Sequence, residues 1–294
     1  MRIRPGKAIA AVAVVVSGSC ICFALVGAVF CQATLHVPRR LGQAPQNAAT
    51  VSITANDKTT LSAWWLVPSK PNRNCAIVLH GIADSRVGSV GFAPMFLNEG
   101  YAVLAPDSHA HGASGGQFVT YGLLERYDVI AWTYWMRRAG CSKLYGLGES
   151  LGASILIEAA AIQPAFAAIV AESAYADLRD VAEYRVRRML PAPVFAAAPA
   201  AKMVVTSAML YARWVDGLNL KQVSPRSAIS YASTPILLIH GLKDVKTPPW
   251  NSEELARANP RDRLWLVPNA GHTGAAAAEP DEFRRRVLAW FADY

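Results

Sequence analysis

Apolar and polar positions along the chain fall into three regimes. The first is a run from Ala8 through Pro38 with no acidic, Lys or Arg side chain, preceded by Arg2, Arg4 and Lys7. Its most apolar part, Ala8 to Phe30, predicts a helix of roughly 34 Å at about 1.5 Å per residue, long enough for a bilayer core. The second, 37–50, carries Pro38, Pro45, Gln and Asn and predicts an irregular linker. From Val51 onward, short β-rich apolar runs alternate with helical patterns. That alternation predicts an α/β domain whose mostly parallel sheet is covered by helices on both faces.

Eight strands are predicted: Val51–Thr54, Leu61–Leu66, Ala76–His80, Ala102–Pro106, Lys143–Gly148, Ala167–Glu172, Pro235–His240 and Arg263–Val267. Helices are predicted at Phe92–Asn98, Leu123–Arg138, Leu151–Ile162, Asn251–Ala258 and Asp281–Ala292. The first two strands follow one another without a helix and should pair antiparallel. The segment 173–234 breaks the rhythm and is too long for a simple connection. It predicts a small helical cap inserted over the C-terminal edge of the sheet. Its apolar residues, among them Met203, Met209, Leu210 and Trp214, either pack the cap down or line a substrate site. The expected division is 1–36 for the N-terminal segment, 37–50 for the linker and 51–294 for the domain with its cap.

Composition removes several classes. With 53% hydrophobic residues in 294, the chain is too apolar for intrinsic disorder. Five Cys are too few for a disulfide-built miniprotein of this length. One long uncharged run excludes a polytopic membrane protein. The formal charge of +8 is spread over scattered Lys and Arg without interleaved stacking aromatics. Nucleic acid is therefore not an expected partner, and a basic surface near anionic headgroups is the plainer reading. The N-terminal helix reads as an uncleaved transmembrane anchor, with a cleaved signal sequence as the alternative, since Cys31-Gln32-Ala33 offers small residues near a cleavage spacing. Bulky Phe30 before Cys31 speaks against lipidation. Arg2, Arg4 and Lys7 outweigh Arg39 and Arg40, which favours an exported (periplasmic or extracellular) domain.

Candidate chemistry centres on Gly148-Glu149-Ser150-Leu151-Gly152, a G-x-S-x-G pentapeptide that follows an apolar strand and opens a helix. A Ser on that sharp turn projects its hydroxyl above the sheet, beside a helix N-terminus that favours negative charge. A hydroxyl is a weak nucleophile and needs a base. His272, in the loop after the last strand, faces the same sheet edge. Asp244, in the loop after the preceding strand, is the carboxylate expected to orient it, with Asp216 as competitor. The oxyanion formed on attack needs two backbone donors. Leu151 N–H follows the nucleophile; the second is expected from Ile82 N–H, or from Gly81 N–H in the same loop. His80 reads as a strand-end packing residue. Asp107-x-His109-x-His111 has a spacing that invites a metal, but no second ligand cluster accompanies it.

These motifs resemble the α/β-hydrolase superfamily from about Val51 to the C-terminus. The resemblance rests on His80-Gly81, on Asp107 through Ser114, on Gly148–Gly152, on Asp244 and on Gly271-His272. The order Ser150…Asp244…His272 is the superfamily's. Within it the chain is similar to serine-aminopeptidase-like and membrane-anchored hydrolase-domain proteins, through His36–Arg40 after an apolar anchor and Leu61–Pro68. The resemblance implies an eight-stranded sheet and hydrolysis through an acyl-enzyme, with neither metal nor cofactor. His109 departs from it, since relatives often carry Arg there. Position 150 is Ser rather than a carboxylate, which disfavours dehalogenation. In this fold the third and fifth strands are parallel neighbours, so a Cys75–Cys141 disulfide is expected if the domain is exported. The function implied is a serine hydrolase of ester, thioester or amide bonds, on a small-molecule or lipid-like acyl substrate. One alternative is a serine aminopeptidase using Glu183, Asp180 or Asp216 to hold the substrate amine. The other is a non-catalytic binding module.

Overall fold

The computed structural model describes residues 5–191 and 193–294. The chain opens with α1 (Pro5–Leu35), followed by β1 (Ala48–Thr54), β2 (Thr60–Leu66) and β3 (Asn74–Leu79). Then come α2 (Arg86–Ser89), α3 (Ala93–Leu97), β4 (Ala102–Pro106), α4 (Glu125–Arg138), β5 (Lys143–Glu149), α5 (Leu151–Ile162) and β6 (Ala168–Glu172). After these lie α6 (Leu178–Met189), α7 (Val194–Trp214), α8 (Pro225–Tyr231), β7 (Ile236–Gly241) and α9 (Trp250–Ala258). The chain closes with β8 (Arg263–Val267), α10 (Ala275–Ala278) and α11 (Pro280–Ala292). These elements form two compact units. One joins the residues up to Leu35 with Ala182–Lys221; the other joins His36–Val181 with Gln222–Tyr294.

The larger unit is built on one eight-stranded sheet of order β1-β2-β4-β3-β5-β6-β7-β8. β2 pairs antiparallel with β1 and β4; every other neighbour is parallel. The central strands are buried on both faces, which is why they read as continuous apolar runs. On one face Val78, Tyr145, Leu147, Val170 and Ile239 meet Phe96, Phe283, Val287 and Phe291 from α3 and α11. The Phe291 ring stacks on Tyr145 at 4.6 Å and on Phe96 at 5.6 Å. On the other face α5 lies against β5, with Gly146 giving room for Leu156. The helix is apolar on nearly all sides, as a fully enclosed helix should be.

The helix predicted at Phe92–Asn98 is α3; ahead of it lies α2, which the pattern did not predict, joined to it by a 3-10 turn at Val90–Phe92. Ser85 caps α2 by accepting from Val87 N–H, and Pro94 restarts the chain as the second residue of α3, where its missing N–H costs nothing. The linker after α1 is irregular but fastened. The Arg39 guanidinium donates to the carbonyls of Gly112, Ser114 and Gly116.

In the smaller unit α1 and α7 pack side by side with the same direction. Gly27 faces Ser207 and Ala208, and a Cβ at Gly27 would stand 2.4 Å from the Ser207 Cβ. Further along, Gln32 donates to Asp216 at 3.1 Å. The stretch Ser17–Leu35 of α1 is long and apolar enough to cross a membrane.

Candidate active site

β5 ends at Glu149 and α5 begins at Leu151, leaving Ser150 alone on the turn with φ 51° and ψ −111°. A non-glycine residue in that region stores roughly 1–3 kcal/mol of strain. Its neighbours permit the turn. A Cβ at Gly148 would lie 2.6 Å from the backbone of Gly152 and Ala153, and one at Gly152 would lie 2.5 Å from Leu79 O. Only glycine fits at either position. The turn is tied to the next strand by Ser150 N–H donating to Glu172 O at 2.8 Å.

Across the C-terminal ends of β5, β7 and β8, three side chains meet. Ser150 Oγ lies 2.9 Å from His272 Nε2, and His272 Nδ1 lies 2.7 Å from Asp244 Oδ2. Asp244 Oδ1 accepts the amides of Lys246 and Thr247, both at 2.9 Å. Burial opposes its charge, but hydrogen bonds from His240, His272 and the Thr247 amide outweigh burial and hold the carboxyl well below its ordinary range. A charged Asp244 fixes the tautomer of His272, leaving Nε2 to face the serine hydroxyl. Asp244 therefore occupies the position for which Asp216 competed; Asp216 itself is bonded to Gln32.

Three groups that the sequence pattern did not single out hold this arrangement. The buried His240 ring lies with Nε2 3.2 Å from Asp244 Oδ2 and 2.6 Å from Thr247 O, while Nδ1 lies 2.6 Å from Ser252 Oγ. The His272 loop is pinned on its far side. Ser173 Oγ accepts from Thr273 N–H at 3.1 Å, and Glu172 Oε1 accepts from Ala275 N–H at 2.8 Å. His240 sits in an apolar strand and Ser173 just past one, so neither carries a motif.

Ile82 and Gly81 lie in the loop after β3, and the Gly81 Cα approaches Ser150 closely enough that an added Cβ would touch the Ser150 Cβ at 3.5 Å. This loop is braced by two imidazoles. His80 Nδ1 lies 2.8 Å from Gly81 O, and its Nε2 accepts Ser108 N–H at 3.0 Å. His111 Nε2 accepts Ala83 N–H at 3.2 Å. Asp107 accepts from the amides of Arg86 and Ala113, both at 2.8 Å. Asp107 and His111 thus spend their polar atoms on backbone, with the Arg86 guanidinium also 3.3 Å from Asp107.

His109 is placed differently, between Asp128 at 3.3 Å and Asp57 at 3.5 Å. Burial opposes its charge, yet the Asp128 hydrogen bond and the carboxylates of Asp128, Glu125 and Asp57 raise its pKa. Burial also raises Asp128. The pair as a unit keeps its proton to higher pH than either group would in water. Glu149 and Glu172 flank the serine turn. Burial, then the neighbouring Glu172 and Asp84, push Glu149 up to about 8. Burial pushes Glu172 up to about 7.

Cys75 on β3 and Cys141 before β5 form a disulfide with Cα atoms 5.8 Å apart. Among the acidic residues weighed for binding a substrate amine, Asp180 lies 3.7 Å from Arg226 and Asp216 accepts from Gln32.

This arrangement agrees with what the chain resembles. It is 26% identical over 220 residues to the uncharacterized protein YqkD of Bacillus subtilis, covering 73% of this chain and 70% of that one. A segment of 57 residues, 19% of this chain and 23% of the relative, is 42% identical to the pimeloyl-[acyl-carrier protein] methyl ester esterase of Nitrosomonas europaea. The esterase Pf2001 of Pyrococcus furiosus superposes with a TM-score of 0.71 at 24% identity, covering 88% of this chain and 99% of that one. At that identity the likeness speaks for the fold. The family model described as the alpha/beta hydrolase family matches residues 76–286, which include the Ser150 turn, Asp244 and His272. On that match, together with the sheet order and the serine turn, the chain belongs to the alpha/beta hydrolase family.

Proposed function

We propose that the protein is a membrane-anchored serine hydrolase that cleaves ester or thioester bonds through an acyl-enzyme on Ser150. The observation that carries this reading is the unbroken chain of hydrogen bonds from Ser150 Oγ through His272 to Asp244. His272 Nε2 takes the hydroxyl proton as Oγ attacks the carbonyl carbon. The oxygen of that carbonyl becomes an oxyanion, held by the amides of Leu151 and Ile82. His272 passes its proton to the leaving alcohol or thiol, and the acyl group stays on Oγ. Water, deprotonated by His272, then releases the acid. Asp244 stays ionised and stabilises the imidazolium at each passage.

Ester chemistry is further supported by the segment shared with an enzyme named for a methyl ester. Membrane attachment is supported by the apolar length of α1, and the disulfide suits an oxidising, exported compartment. The test is a panel of p-nitrophenyl acyl esters of increasing chain length beside aminoacyl-p-nitroanilides. Turnover of esters with little release from the anilides is expected. Turnover of the anilides alone overturns the ester reading in favour of an aminopeptidase.

A further inference from the structure

The formal charge is unevenly placed. Within the smaller unit, Ala182–Lys221 carries six basic side chains against two acidic ones, whereas the larger unit carries twenty against nineteen. Half of the +8 therefore lies on this one segment. Charge on this scale on so few residues favours an anionic surface.

The same unit exposes apolar side chains where a water-facing helix should be polar. On α7, Pro199, Met203, Leu210 and Trp214 recur at steps of four and seven and so share one side of the helix. All four are exposed, Trp214 at 77%, with Lys202 and Arg213 flanking them. On α1, Ile21, Leu25 and Val29 recur at steps of four and are 62–70% exposed. At the end of α6 the exposed Met189 follows Arg187 and Arg188, whose guanidiniums lie over the Tyr184 ring at 5.7 and 5.8 Å. Apolar stripes edged by Arg, Lys and aromatic rings are the composition of helices that meet a membrane interface. Continuity points the same way, because α7 packs against α1 through small residues, with Gly27 on Ser207 and Ala208.

We propose that α7 and the basic end of α6 form a second membrane-contacting element, in which α7 enters an anionic bilayer alongside the α1 anchor. This rests on α1 being a retained membrane segment, as proposed above. The apolar stripe faces lipid, as do Ile21, Leu25 and Val29 on α1. Lys202 and Arg213 lay their stems along it while their charges reach phosphate. The unit thereby meets the membrane by two helices packed side by side.

The test uses the full-length protein in nanodiscs, with bimane attached to single cysteines and nitroxide-labelled lipids as quenchers. Native Cys20, exposed on α1, reports the anchor in a variant with Cys22→Ala and Cys31→Ala. Met203→Cys, Leu210→Cys and Trp214→Cys, each with Cys20, Cys22 and Cys31 replaced by Ala, report α7. Tyr231→Cys in the same background, exposed on the larger unit, is the reference. Thermal melts confirm that each variant is folded. Quenching at the α7 positions at least roughly twofold above position 231 is expected. It should be greater in phosphatidylglycerol than in phosphatidylcholine discs and weaker at about 0.5 M salt. Arg187→Glu with Arg188→Glu should reduce it. Cys20 quenched with α7 at the reference level overturns the proposal and leaves the anchor. Cys20 unquenched with α7 quenched removes the anchor and leaves the α7 contact. Disulfide cross-links between copies through position 214, without lipid quenching, overturn the proposal in favour of a dimer.

Discussion

Glu149 and Glu172 are direct register partners on β5 and β6, the first half-buried and the second buried beside the turn that carries Ser150. Two carboxylates so close repel one another and lack much of the solvent that would stabilise their charges. Both are therefore driven toward the neutral form near pH 7. Asp244, with three hydrogen-bond donors, stays ionised. The site thus keeps Asp244 as the carboxylate bonded to His272, while burial weakens the charge of its acidic neighbours.

This arrangement predicts a pH signature. Glu149 has a folded pKa of about 8, above its ordinary 4.5, so the folded protein binds a proton that the unfolded chain releases in between. Stability should fall as pH rises from about 4.5 through 8. Glu149→Gln removes that decline. Its melting temperature should exceed the wild type's at pH 8–9 by several degrees, at roughly 2–4 °C per kcal/mol, and converge with it near pH 5. Parallel curves for the two proteins across that range contradict the assignment.

His109 runs in the opposite sense. Its folded pKa lies above the ordinary value, so its contribution is full below about 6.5 and is lost as pH rises through the folded value. His109→Gln should cost about 1–3 kcal/mol at pH 6 and progressively less toward pH 9. Denaturant midpoints across this range read the difference.

His240 is a positioning residue, acting on Asp244 rather than on substrate. His240→Asn should lower kcat by roughly tenfold to a hundredfold with little change in KM, because a displaced Asp244 misorients His272. A change confined to KM places His240 in substrate binding instead.

The disulfide closes a loop of 66 residues, for which chain entropy gives about 4 kcal/mol. Cys75→Ala with Cys141→Ala should lower the melting temperature by roughly 10 °C. Dithiothreitol should lower the wild type equally and leave the double variant unchanged.

Much of the fold was legible because burial on both faces writes the central strands as unbroken apolar runs. β3, β4, β6 and β7 fall close to where that pattern places them. The Ser150 turn was legible because Gly148 and Gly152 are forced by close backbone contacts. Register was not legible, so neither the Glu149–Glu172 pair nor the bond from Ser173 to the His272 loop could be foreseen. His240 looked like a strand-end residue because its role depends on a loop folding back over it. α2 was not legible because four residues make about one helical turn, too few to show a hydrophobic period. The pairing of α1 with α7 joins segments far apart in sequence, and the periodicity of one helix does not name its partner. Gly27, unremarkable in an apolar run, is a point where the two helices approach closely.

The most direct measurement is to treat the full-length protein with a fluorophosphonate and map the adduct by peptide mass spectrometry, alongside Ser150→Ala. One adduct on the peptide carrying Ser150 is expected, with Ser150→Ala folded, unlabelled and reduced in ester turnover by several orders of magnitude. An adduct elsewhere, or undiminished turnover by folded Ser150→Ala, contradicts nucleophilic attack by that hydroxyl.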